Sequence, residues 1–138
     1  MEQFSHILKG KTILRIDISE DKTFLRFHTS QGDIHAYAYG DCCSNSWVEN
    51  ISLPALGLPA TVLNVENIEM PDLGSPEDDI AIKYYGERIT TDHGHITIDY
   101  RNESNGYYGG LLEWEGGDEY IYQIKNRDEP KVWKEVTT

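Results

Sequence analysis

Apolar and polar residues alternate along most of this chain, at the two-residue period of strands rather than the 3.6-residue period of helices. Lys11–Ile18 sets Thr12, Leu14, Ile16 and Ile18 on one side. Thr23–His28 and Asp33–Tyr39 flank the turn signal Thr29-Ser30-Gln31-Gly32 and read as a hairpin. Pairing outward from that turn sets His28 opposite His35, Arg26 opposite Tyr37 and Phe24 opposite Tyr39. Leu25, Phe27, Ile34, Ala36 and Ala38 then share the core face. Ser46 with Glu49 fits a capping box, so a short helix is expected after Trp47, before the proline-broken stretch Pro54–Pro59. Thr61–Met70 reads as a strand and Pro71–Asp79 as a polar loop. Ile80–Thr91 and His95–Arg101 flank Asp92-His93-Gly94. Asn105-Gly106 is a strong turn dipeptide, which would set Arg101 opposite Tyr107, Tyr100 opposite Tyr108 and Asp99 opposite Gly109. Glu119–Lys125 and Val132–Val136 are further strand candidates, and no repeat is visible. The expected class is α+β, predominantly β: a twisted antiparallel sheet or partly open barrel with one or two short helices.

Length and charge narrow the picture. A chain of 138 residues fits one domain, 1–138. With 24 acidic against 12 basic residues the net charge is −12, which repels phosphate backbones. Direct binding to a nucleic-acid polymer is therefore not expected, whereas basic protein partners are compatible. No stretch reaches the ~18 apolar residues of a membrane span. Met1–His6 lacks a signal-peptide pattern, so a cytoplasmic location is expected.

The densest chemical signal is Gly40-Asp41-Cys42-Cys43-Ser44-Asn45-Ser46-Trp47. Neighbouring cysteines sit ~3.8 Å apart at Cα, too close for an unstrained disulfide. One vicinal pair also lacks the spacing of a zinc site, even with His93 and His95 as further donors. Cys42 and Cys43 are thus read as structural, and no catalytic residue, metal or cofactor is expected. Glu113 and Glu115 read as a wet strand face.

Binding chemistry is concentrated elsewhere. Arg101, with Asn102, could hold an anionic group bidentately. Tyr107 and Tyr108 could stack on a planar ring, and Gly109-Gly110 would let it approach the backbone. Asp41 and Trp47 would wall the site, beside His35 and Tyr37 on the aromatic and basic hairpin face.

Gly10-Lys11-Thr12-Ile13, Gly40–Trp47 and Arg101–Gly110 together resemble a family of small phage and bacterial proteins, described only as a domain of unknown function. The resemblance covers about residues 8–115. It implies a phage-associated context, with the host cytoplasm as location, and assigns no catalytic residues. The resulting expectation is a non-enzymatic binder, in an anti-defence role, that sequesters a small anionic, nucleotide-like ligand. Homo-oligomerisation would let two chains complete one pocket. The alternatives are an acidic inhibitor of a host protein and a small cysteine- or metal-dependent enzyme.

Overall fold

The computed structural model describes residues 6–40, 45–69, 81–104, 110–115 and 130–137. Within them the chain forms nine strands: β1 (Thr12–Ser19), β2 (Phe24–Thr29), β3 (Gly32–Gly40), β4 (Asn45–Ser52), β5 (Ala60–Glu69), β6 (Ala81–Thr91), β7 (Gly94–Ser104), β8 (Gly110–Trp114) and β9 (Trp133–Glu135). They make one antiparallel sheet in the order β4-β7-β6-β5-β1-β2-β3-β8, with β9 added to β1. Among the described residues the sheet curls around its apolar face without closing. Leu25, Phe27, Ile34, Val48, Ile89, Ile96 and Ile98, drawn from both ends of the strand order, share one core.

The strand order is symmetric about its centre. Outward from the β1–β5 contact run two arms, β1-β2-β3-β8 and β5-β6-β7-β4. Through the first three strands of each arm the registers match residue for residue. In the first arm Ile13 pairs Thr29, Arg15 pairs His28 and Asp17 pairs Arg26. In the second Val62 pairs Thr91, Asn64 pairs Thr90 and Glu66 pairs Arg88. Each arm carries a bulge at the same place, which turns Leu14 and Leu63 outward to 49% and 52% exposure. Side chains repeat as well: Asp17–Arg26 at 3.1 Å answers Glu66–Arg88 at 3.8 Å.

The two hairpin turns are also copies. Thr29 Oγ1 donates to Gly32 O, and Thr91 Oγ1 to Gly94 O, both at 2.6 Å. The glycines have φ of 108° and 121°, a region that disfavours a side chain. Ser30 N donates to Thr12 O, as Asp92 N does to Thr61 O. Thr12 and Thr61 meet hydroxyl to hydroxyl at 2.9 Å, where the pseudo-two-fold axis passes. Only the fourth strands are exchanged: β4, which follows β3, completes the second arm, and β8, which follows β7, completes the first.

This architecture corrects several expectations. Ser46–Glu49 lies in strand β4, because Ser46 and Val48 pair with Asn102 and Tyr100 and are buried against the core. No helix occurs among the described residues. Among the described residues β7 and β8 do not pair: β7 lies between β4 and β6, and β8 pairs β3, while the expected partners Tyr107, Tyr108 and Gly109 lie outside the described residues. The first hairpin is tighter than expected, with His28 opposite Asp33, Arg26 opposite His35 and Phe24 opposite Tyr37. That shift preserves parity, so the five expected core residues are all buried. The bulge buries Ile13 and Ile16 and breaks the Thr12-Leu14-Ile16-Ile18 alternation. The absent repeat is present as geometry, with little sequence identity beyond Thr-x-x-Gly at the turns.

Candidate functional site

The predicted ligand residues fall into separate places. Arg101 lies on the outer face of β7, directly opposite Trp47 on β4 and Tyr84 on β6. Its guanidinium bonds Glu49 at 3.0 Å and Asp99 at 3.3 Å, and rests 4.8 Å from the Tyr84 ring centre. Two carboxylates therefore already compensate this cation. Asn102 points the other way, fully buried, and donates to Ser46 Oγ at 2.9 Å.

His35 and Tyr37 lie on the outer face of the first arm. His35 Nδ1 is 2.8 Å from Glu115 Oε1, and Tyr37 stacks on Phe24 at 4.8 Å. The C-terminal strand packs over this face: Trp133 lies 4.2 Å from the Arg26 guanidinium and 6.3 Å from the His35 ring. Tyr37 is buried, so the aromatic face serves as a second small core with Phe24, Tyr39 and Trp133. Asp41, Tyr107 and Tyr108 lie outside the described residues, as do Cys42 and Cys43. Among the described residues no group of His, Cys, Asp and Glu could hold a metal ion, and no helix is long and apolar enough to cross a membrane.

The residues that the structure does gather are others. A cavity of about 460 Å³ opens on the inner face of β5, β6 and β7, with β8 and His6 across from them. The strand period puts Asn67, Tyr85, Glu87 and Tyr100 on this inner face, because Asn67 pairs Glu87 and Tyr85 pairs Tyr100. Trp114 reaches from β8 and donates through Nε1 to Glu87 Oε1 at 3.4 Å. When Glu87 is ionised, the Asn67 amide with its nitrogen turned toward it donates to both carboxyl oxygens, at 3.1 and 3.3 Å. Tyr85 and Tyr100 stack at 5.2 Å, and His6 meets the Trp114 ring edge-on at 4.5 Å.

The other arm shows this position filled with hydrocarbon. Its registers place Leu25 where Glu87 stands, Ile18 where Asn67 stands and Ala38 where Tyr100 stands. Leu25 is fully buried in an apolar core. The second arm thus replaces hydrocarbon with a carboxyl, an amide and aromatic rings around open space.

Electrostatics follow from that burial. Glu87 is 6% exposed, and desolvation pushes its carboxyl up to about 7, against the opposing bond from Trp114. Burial, with help from Lys11, holds the His6 imidazole down to about 4. Burial, then the Glu87 charge, raises the Tyr100 phenol to about 12. Between about pH 4 and 7 the pair Glu87 and His6 is therefore mostly uncharged in the fold.

Comparison with known families bears on the chain as a whole. The model for a domain of unknown function, DUF7448, matches residues 6–114. The chain belongs to the DUF7448 family. The match takes in strands β1 to β8, both arms and all the cavity residues named above. No curated protein and no solved structure matches this DUF7448 chain.

Sequence reasoning passed over Glu87, Asn67, Tyr85, Tyr100, Trp114 and His6. The signal was present in β6. Tyr85, Glu87 and Ile89 alternate onto one face, so a core assignment for Ile89 puts Glu87 inside. A carboxyl on the apolar side of a strand is the anomaly that marks the site.

Proposed function

We propose that this DUF7448 domain is a non-enzymatic binding protein that sequesters a small nucleotide-like ligand in the cavity beside Glu87. The carrying observation is the contrast between the arms. The fold tolerates leucine at this position, as Leu25 shows, yet the second arm keeps a buried carboxyl there beside about 460 Å³ of space. A buried carboxyl costs stability, and one with a strongly perturbed pKa beside a cavity is a candidate for recognition. The volume and the mixed aromatic and polar lining fit a small-molecule site. The anti-defence role expected from the phage-type resemblance would then act by capture rather than turnover.

The test is capture and release. The protein is incubated with a mixture of nucleobases, nucleosides and nucleotides, desalted, heated, and the supernatant analysed by mass spectrometry. Recovery of an unchanged compound from wild type, lost in Glu87→Leu, is the expected result. Retention of nothing by wild type contradicts the proposal.

A further inference from the structure

Resting on that reading, the geometry points to an uncharged nucleobase or nucleoside as the occupant, held by its polar edge against Glu87 and Asn67, with no phosphate inside the cavity.

Three observations carry this. First, Glu87 and Asn67 are cross-strand neighbours whose polar groups touch at 3.1 and 3.3 Å, so carboxyl and amide face the cavity as one edge. Together they offer both donor and acceptor sites in adjacent positions, the complement of the polar edge of a nucleobase. Trp114 Nε1, bonded to Glu87 Oε1, fixes the carboxyl in place.

Second, the walls are aromatic. The stacked Tyr85–Tyr100 pair and Trp114 present ring surface to a planar occupant. Every base has a π-face, and stacking on aromatic side chains is a general mode of holding one.

Third, no described lining residue offers a cation to a phosphate. Among the described residues that line the cavity there is no lysine or arginine, and two are glutamates, Glu66 and Glu87. Arg88, the cross-strand neighbour of Glu66, is already paired with it at 3.8 Å. Arg101 is bound by Glu49 and Asp99 on the outer face. A phosphate would enter beside the Glu66 carboxylate and against the overall charge of −12. The depressed His6 and elevated Glu87 values agree with a cavity suited to a neutral guest.

The experiment is isothermal titration calorimetry at pH 6.5 with four series, each of base, nucleoside and 5′-monophosphate: adenine, guanine, uracil and cytosine. At least one base or nucleoside is expected to bind. Its monophosphate should bind equally or more weakly, by up to about tenfold at low salt, with the gap narrowing as salt rises. In Glu87→Leu the affinity should fall at least about tenfold, while Glu87→Gln, which keeps a donor and an acceptor, should stay within about threefold. A monophosphate that binds more tightly than its nucleoside overturns the inference and leaves the proposed function standing. Unchanged binding in Glu87→Leu overturns the placement in this cavity. No binding by any of the twelve compounds overturns both.

Discussion

Glu87 stands in the second arm where Leu25 stands in the first: each lies two residues from a core residue paired across the same hairpin register, Ile89 with Ile96 and Phe27 with Ile34. The same backbone position thus hosts hydrocarbon on one side of the pseudo-axis and a carboxyl on the other. Because the surrounding geometry is repeated, Leu25 acts as an internal control for what Glu87 costs.

That control yields a stability prediction. Raising a carboxyl from 4.5 to about 7 corresponds to about 3 kcal/mol of penalty once the group must ionise. Glu87→Leu should therefore stabilise the protein at pH 8 by roughly 2–4 kcal/mol, with a much smaller gain at pH 4.5. Urea unfolding at the two pH values measures this. A destabilised Glu87→Leu at pH 8 would contradict the comparison of arms.

The pH dependence of wild type combines two opposed groups. Glu87 keeps its proton in the fold up to about 7, whereas the unfolded carboxyl loses it near 4.5, so its contribution falls as pH rises between those values. His6 is neutral in the fold down to about 4, whereas the unfolded imidazole charges below 6.5, so its contribution falls as pH drops between those values. The two slopes oppose each other between about pH 4.5 and 6.5. Glu87→Gln should unmask a stability that rises with pH across that window, and His6→Gln one that falls. Thermal unfolding scanned against pH checks the sign of each.

The C-terminal strand should matter for stability rather than for ligand. Trp133 lies over Arg26 and closes the small core of Phe24 and Tyr37. Trp133→Ala should cost about 2–4 kcal/mol by urea unfolding. Ligand affinity in the second-arm cavity should be unchanged, as calorimetry can show.

Arg101 and Asn102 should separate cleanly. Arg101→Ala removes an outer-face cation already balanced by Glu49 and Asp99, and ligand binding should persist. Asn102→Ala leaves the buried Ser46 hydroxyl without its donor and should destabilise by about 1–3 kcal/mol. Calorimetry of the first and urea unfolding of the second test this. Loss of binding in Arg101→Ala would place the ligand at Arg101, as expected from the sequence.

What was legible in the sequence follows from parity. Alternation identifies which side chains share a face, so Leu25, Phe27, Ile34, Ala36 and Ala38 could be assigned inward even with the hairpin register two residues off. Alternation cannot say which strand lies beside which. Asn105-Gly106 is a good turn signal, yet β8 leaves β7 to pair with β3 on the far side of the sheet. The helix expected at Ser46 failed because a capping pattern is local, whereas burial of Val48 against Tyr100 is tertiary. The candidate site was hidden for a related reason. Arg101 and Trp47 are adjacent, but on the outer face, and the cavity is made by residues far apart in sequence: His6, Asn67, Glu87 and Trp114.

One spectrum tests the central claim most directly. The chain has three tryptophans, and each reports a different place: Trp114 the cavity, Trp47 the Arg101 face, Trp133 the C-terminal strand. In a ¹H–¹⁵N spectrum of the indole groups, adding nucleosides should shift the Trp114 resonance and leave Trp47 and Trp133 in place, and Glu87→Leu should abolish the shift. A shift confined to Trp47 or Trp133, or none at saturating nucleoside, would contradict the account.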